Sequence, residues 1–301
     1  MIEIVEVGPR DGLQNEQRLV GLADKLGLIE RAIAAGVRRI EVGSFVNPQK
    51  VPQMAGTDEL CALLPVRTDV TYIGLVLNRR GLDRALAAGV DEAGAVCIAS
   101  DTFALRNQGQ TSDESVRIAA GIVEAAKAAG RSAQVTIGAA FGCPFEGEVA
   151  PDRVVAMARR LAEAAPREIA LADTIGVAGP GQVQALVSAV AAAVAPIPVR
   201  VHFHNTRNTG IANAWVAAGA GARVVDSALG GLGGCPFAPG AAGNVATEDI
   251  VYMFERSGVA TGLDLDALIA ASRWFAGVMG GPLPSMVTRA GNFPAAISQE
   301  A

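Results

Sequence analysis

Histidine is scarce in this sequence, with two among 301 residues, so any chemistry that rests on imidazole is confined to wherever those two lie. Positive charge is also short: 25 Lys and Arg against 30 Asp and Glu leave a net charge of −5. Such a chain offers no basic surface for a phosphate backbone, which excludes nucleic acid as a partner. An acidic small-molecule ligand would then need a local positive site or a metal. Cysteine is limited to positions 61, 97, 143 and 235, none in C-x-x-C spacing. That excludes a zinc knuckle or redox pair and points to reduced thiols in a cytosol. No long apolar run occurs. The most apolar stretch, 185–195, is interrupted by Ser188 and closed by Pro196, well short of the roughly 20 residues that span a bilayer. The opening Met1-Ile2-Glu3-Ile4-Val5-Glu6 lacks the basic region, apolar run and cleavage site of a leader. A cytoplasmic location without a membrane partner is therefore expected.

What is present is apolar and regularly punctuated. Half the residues are hydrophobic, which excludes disorder, and the length suits one α/β barrel of roughly 250 residues. Short β-branched runs at 2–7, 39–43, 70–76, 93–99, 133–138, 168–171, 199–204 and 223–227 read as strands. Between them, segments of helical period lie at about 22–35, 53–63, 80–88, 113–129, 151–164, 181–193, 211–218 and 245–255. Ser112 with Asp113 marks a helix start, and Gly36, Gly89, Gly130 and Gly219 mark stops. Eight strands alternating with helices predict an α/β fold, a (β/α)8 TIM barrel, followed by an extra C-terminal helical segment at 265–278. No linker divides the chain, so one domain over 1–280 with a tail at 281–301 is expected.

A barrel of this kind carries its active site on the loops at the C-terminal ends of its strands. Both histidines sit there, in Val201-His202-Phe203-His204. Strand residues two apart face one side, so His202 and His204 point together, an arrangement suited to holding a metal. The alternative is a pair of hydrogen-bonded core histidines. Arg200, before them, and Asn205 and Arg207, after them, are polar as expected of a strand emerging into a site. The first strand ends in Gly8-Pro9-Arg10-Asp11-Gly12, a turn that brings Arg10 and Asp11 to the same rim. Asp11 can complete a two-histidine, one-carboxylate set, or form an ordinary salt bridge with Arg10. Glu41, at the end of the second strand, is a candidate partner for Arg10. After the eighth strand, 230–244 holds six glycines in 15 residues. This composition suggests a mobile lid carrying Cys235, an acid or base candidate. Asn244 reads as a helix cap or a further metal ligand.

Taken together, Glu6-Val7-Gly8-Pro9-Arg10-Asp11-Gly12-Leu13-Gln14-Asn15-Glu16, Ala172-Asp173-Thr174-Ile175-Gly176-Val177, the His202-Phe203-His204 triplet and the glycine-rich segment ending at Asn244 resemble the 3-hydroxy-3-methylglutaryl-CoA lyase family. That family lies within the metallolyase barrel superfamily with an Asp-Arg-Glu signature. The resemblance implies Mg²⁺ or Mn²⁺ held by Asp11, His202, His204 and Asn244. It further implies retro-Claisen cleavage of the acyl-CoA to acetyl-CoA and acetoacetate, with Arg10, Glu41, His202, Cys235 and Asp173 in the chemistry and Arg10, Gln14 and Thr174 at the substrate. A homodimer is implied as well, with 265–278 as a candidate interface. Three departures from the family pattern concern the substrate. Asn205-Thr206-Arg207-Asn208 replaces Asp-Thr-Tyr-Gly, Ala170 stands for Ser, and Thr136 stands for Tyr. Cleavage of citramalyl-CoA to acetyl-CoA and pyruvate is the alternative, with Arg207 then a candidate for the substrate carboxylate. A condensing synthase of the same superfamily and a catalytically inert binding barrel are further alternatives.

Overall fold

The computed structural model describes residues 1–235 and 238–294, with side chains described for all of these except 235 and 238–241. Eight parallel strands close into a barrel in chain order: β1 (Glu3–Glu6), β2 (Arg39–Ser44), β3 (Thr71–Val76), β4 (Glu92–Ile98), β5 (Ser132–Gly138), β6 (Ile169–Asp173), β7 (Val199–Phe203) and β8 (Ala222–Ser227). Pairing of β1 with β8 shuts the cylinder, so no strand edge is left open within it. The helices are α1 (Leu22–Ala34), α2 (Thr57–Leu63), α3 (Arg79–Ala87), α4 (Asp101–Gln108), α5 (Ser112–Ala128), α6 (Pro151–Ala162), α7 (Pro180–Val194), α8 (Gly210–Gly219), α9 (Thr247–Arg256), α10 (Leu265–Met279) and α11 (Met286–Ala290). The expected TIM barrel is therefore the fold. No described helix is long and apolar enough to cross a membrane.

Local chemistry accounts for the ends of these elements. Thr111 caps α5 by accepting from Glu114 N–H, while the Glu114 carboxylate accepts from Thr111 N–H. The cap is thus Thr111, one residue before the expected Ser112. Gly36, Gly89 and Gly130 stop their helices at positive φ, whereas α8 runs through Gly219 and turns at Gly221, φ +117°. A helix not expected from the sequence, α4, follows β4 directly. Its weakly amphipathic Asp101-Thr102-Phe103-Ala104-Leu105-Arg106 buries only Phe103 and Ala104. A two-stranded hairpin, β9 (Gly234–Cys235) with β10 (Ala238–Ala242), lies in the glycine-rich segment.

The extra segment α10 is used inside the chain. Leu268, Ile269, Ala271 and Phe275 are buried, Trp274 packs on α1 at Gly27, and Arg31 stacks on the Trp274 ring 3.7 Å from its centre. Its buried apolar face packs on its own barrel. Beyond it, Leu283 packs on Gly230, Ser285 N–H donates to Gly230 O at 2.9 Å, and the Ser285 hydroxyl donates to Asp249.

The barrel interior is polar at its base. Arg39, almost wholly buried, donates to Glu92 at 2.6 Å and to Glu168 at 2.8 Å and approaches Glu3. Burying that charge is tolerable because three carboxylates surround it with charge-assisted hydrogen bonds.

Candidate active site

The chain leaves β1 through one wide helical turn, Gly8–Gly12, in which Gly12 N–H donates to Val7 O at 3.1 Å. Gly8 permits the turn because its Cα lies against the Glu6 carboxylate, where a Cβ would come within 2.5 Å. The turn lifts Arg10 and Asp11 over the barrel mouth. Arg10 Nε donates to Glu41 Oε2 at 2.7 Å, and its Nη1 donates to Asp11 Oδ1. Glu41 on β2 thus fixes the guanidinium, as the sequence suggested. Burial opposes the charge on Arg10, yet Asp11 and Glu41 outweigh it and hold the guanidinium protonated. The Glu41 carboxyl is displaced upward, since burial exceeds the lowering effect of Arg10.

His202 on β7 and His204, just beyond its end, turn to the same side, with ring centres 5.2 Å apart. Asp11 Oδ2 lies 3.6 Å from His202 Nε2 and 3.7 Å from His204 Nε2. Burial would raise the Asp11 carboxyl, but Arg10, His204 and His202 together hold it well below the usual carboxylate range. Asp226 Oδ2, on β8, stands 3.2 Å from His202 Nδ1, the ring nitrogen that does not face Asp11.

These donors fit a divalent cation. The ligand atoms of Asp11, His202 and His204 lie within 4.8 Å of one another, a carboxylate with two imidazoles. Asn244 pairs with His204 as an isolated bridge, and its Nδ2 donates to Leu232 O at 3.0 Å. Asn244 Oδ1 is buried without a hydrogen-bond partner among the described residues, as a side-chain oxygen kept for an ion would be. The helix-cap alternative for Asn244 does not hold, since α9 begins at Thr247 behind Ala246.

Beside this triad opens a cavity of about 910 Å³, bordered by Arg10, Asp11, Gln14, Glu41, Thr136, Thr174, Arg200, His202 and His204. Exposed Lys50 and Arg80 also border it, which supplies the local positive charge an acidic ligand requires. Gln14 and Thr174 therefore reach the site, and Thr174 Oγ1 also accepts from Ala139 N–H at 2.9 Å.

Two expected residues do not line it. Asp173 is fully buried, and its two carboxylate oxygens accept from Val177 and Ala178 N–H at 2.9 Å each, closing the turn after β6. Arg207 points away from the cavity and donates to the carbonyls of Ile175 and Gly176 at 2.9 and 3.0 Å. It braces the neighbouring loop, which corrects its assignment to the substrate carboxylate. The side chain of Cys235 lies outside the described residues.

The foot of the glycine-rich segment is anchored. Leu229 N–H donates to Glu6 at 2.9 Å, Gly230 N–H to Glu248 at 3.0 Å and Gly233 N–H to Glu16 at 3.3 Å. These bonds tie the segment to the barrel as far as Gly233. The anchoring roles of Glu6 and Glu248 were not legible in the sequence, because the amides they accept from lie far along the chain and no spacing rule connects them. Arg200 was legible only through the period-two alternation that places 200, 202 and 204 on one face of β7, and Asp226, on the neighbouring β8, was not legible at all.

Residues 1–274 match the family model described as HMGL-like. The chain is 47% identical over 300 residues to the (R)-citramalyl-CoA lyase of Chloroflexus aurantiacus, covering 96% of this chain and 95% of that one. It is 42% identical over 267 residues to the hydroxymethylglutaryl-CoA lyase of Pseudomonas mevalonii, covering 89% of each. A solved HMG-CoA lyase of Acinetobacter baumannii, in complex with coenzyme A and 3-methylmalate, superposes with a TM-score of 0.92 at 40% identity and 98% coverage of both chains. With its Asp11-His202-His204 cluster in a closed eight-stranded barrel and relatives matched over almost their whole length, the chain belongs to the HMGL-like family.

Proposed function

We propose that this chain is a carbon–carbon lyase that cleaves a carboxylate-bearing 3-hydroxyacyl-CoA to acetyl-CoA and an oxo acid, dependent on Mg²⁺ or Mn²⁺. The observation that carries the reading is the convergence of Asp11, His202 and His204 on a cavity that Arg10 also borders. Relatives named as citramalyl-CoA and hydroxymethylglutaryl-CoA lyases, and one complexed with coenzyme A, support an acyl-CoA substrate. The two candidate substrates are 3-hydroxy-3-methylglutaryl-CoA, giving acetoacetate, and citramalyl-CoA, giving pyruvate.

Asp11, His202, His204 and Asn244 would hold the cation, which when bound lowers the pKa of the substrate's tertiary hydroxyl and neutralises its carboxylate. Removal of the hydroxyl proton lets that oxygen form a carbonyl as the bond between C2 and C3 breaks. The bonding electrons pass to the thioester, whose oxygen becomes negative as an enolate. Arg10, held by Glu41, donates a hydrogen bond to that oxygen, an effect of about 3–4 kcal/mol for one well-placed donor. Protonation at C2 then completes acetyl-CoA. Closure of the glycine-rich segment over the mouth would exclude bulk water during this step and bring Cys235 to it. Cys235 is the proposed proton carrier, because His202, with Nε2 turned to the Asp11 side and Nδ1 on Asp226, has both ring nitrogens engaged once it holds the cation.

Release of acetyl-CoA from the two thioesters, with Mg²⁺ or Mn²⁺ and after EDTA treatment, tests this reading. Cleavage of one or both, lost with the metal and restored by it, is the expected result. Cleavage that persists in EDTA contradicts it.

A further inference from the structure

Arg200 lies two residues before His202 on β7 and turns to the same interior face. The residue is only 3% exposed, yet its guanidinium borders the cavity. The β-ladder registers Arg200 beside Ala170, Ala170 beside Thr136, and Gln134 beside Gly94. A Cβ at Gly94 would come within 2.9 Å of Gln134 Nε2, so a larger residue there would displace the glutamine. Small residues at 94 and 170 thus leave the space that Gln134 and Arg200 fill.

The guanidinium is incompletely satisfied. Nη2 donates to Gln134 Oε1 at 2.6 Å and to Thr136 Oγ1 at 3.1 Å. Nη1 meets Glu168 only as an ion pair at 3.4 Å. Nε stands 3.5 Å from Asp226 Oδ1, and neither atom makes a hydrogen bond among the described residues. A buried arginine has five N–H donors, and leaving them short of acceptors is costly unless an arriving group completes the set. Asp226 also faces His202 at 3.2 Å, so the arginine lies one residue removed from the triad that would hold the reacting carbon's oxygen.

We infer that Arg200 selects the acyl group. It shortens the cavity beneath the triad and offers unfilled donors to a carboxylate attached directly to the carbinol carbon. The favoured substrate is then the citramalyl thioester, whose product besides acetyl-CoA is a 2-oxo acid. The extra methylene of 3-hydroxy-3-methylglutaryl-CoA has to be accommodated against a fixed guanidinium. This inference rests on the proposed lyase reading and assigns the discrimination to Arg200, where the sequence had suggested Arg207. Thr136 assists by holding one Nη2 hydrogen.

The test compares kcat/KM for the two thioesters on the full, Mn²⁺-loaded protein. Wild type is expected to favour citramalyl-CoA by about tenfold or more, the scale of discrimination that one methylene allows. Arg200→Met, similar in length and uncharged, is expected to raise KM for citramalyl-CoA about tenfold while changing KM for the longer thioester far less. Arg200→Lys should keep part of the preference. Preference of the wild type for the longer thioester, or an unchanged ratio in folded Arg200→Met, overturns the inference. Removal of Arg200 takes one cation from beside Glu168 and Asp226, so folding is verified by circular dichroism. Calorimetric binding of pyruvate and acetoacetate to wild-type protein provides a measurement independent of the variants and of turnover. Tighter binding of pyruvate upholds the role of Arg200 even where neither thioester is cleaved, an outcome that would defeat the lyase reading alone. Equal binding, or tighter binding of acetoacetate, overturns it.

Discussion

Asp226 Oδ2 lies 3.2 Å from His202 Nδ1, while Asp11 Oδ2 lies 3.6 Å from His202 Nε2, so one imidazole is held between two carboxylates. Donation of Nδ1–H to Asp226 leaves the Nε2 lone pair directed at the Asp11 side, the tautomer a metal requires. Replacing Asp226 by Asn keeps the shape but removes the charge that fixes this tautomer. The expected outcome is a rise of about 10- to 100-fold in the metal concentration that half-activates acetyl-CoA release. Metal titration of turnover, with Tm recorded alongside, measures it.

Arg10 and Glu41 divide one task unequally. Arg10→Gln removes the donor to the developing enolate and should lower kcat by about 10²- to 10³-fold with little change in KM. Glu41→Gln leaves Arg10 tied to Asp11, so a smaller loss, of about tenfold, is expected. Steady-state kinetics on both variants tests the order, and equal losses would show that Glu41 does more than position Arg10.

The foot of the glycine-rich segment makes stability depend on pH. Burial pushes the Glu6 carboxyl up to about 7, against the lowering effects of the Thr247 hydroxyl and the Leu229 and Gly8 amides. Glu248, buried beneath Gly230, is likewise pushed up to about 7. Between the ordinary value of 4.5 and about 7, the folded chain binds protons that the unfolded chain has released. The resulting stabilisation is complete below pH 4.5 and is lost as pH rises through 7, on the order of 3 kcal/mol for one such group. Glu6→Gln can keep the amide acceptor and donate to Thr247, so it should match wild type near pH 5 and exceed its Tm at pH 8. Parallel melting curves from pH 5 to pH 8 decide the point.

Gly230 has φ +73°, and a Cβ there would lie 2.3 Å from Leu283 Cδ1. Gly230→Ala is therefore expected to cost about 1–3 kcal/mol through backbone strain and to displace the 283–290 segment. Leu283→Ala in the same chain should relieve part of the clash. Denaturant unfolding of the single and double variants measures both effects, and an additive double variant would contradict the contact.

The elements most legible in the sequence were those in which one period does the work. Alternation on β7 places His202 and His204 together, and the punctuated turn after β1 delivers Asp11 to them. Helix α4 escaped notice because its polar, weakly periodic residues bury only two side chains. The two arginines around the histidines show where such reading ends. Arg207 follows them and looks like a rim residue, but the loop beyond β7 turns it onto the Ile175 and Gly176 carbonyls. Arg200 precedes them inside the strand, where small neighbours give it room to border the cavity. Asp173 fell at a strand end, yet two backbone amides of the following turn hold its carboxylate. In each case the deciding partner was a backbone group or an adjacent strand, which residue spacing alone does not locate.

The central claim is that Asp11, His202 and His204 hold the cation on which cleavage depends, and Mn²⁺ binding followed by electron paramagnetic resonance tests it most directly. Wild-type protein is expected to take up one Mn²⁺ per chain at this site, and Asp11→Ala and His204→Ala, each verified as folded, to lose it. Mn²⁺ uptake that is unchanged in both folded variants would contradict the account.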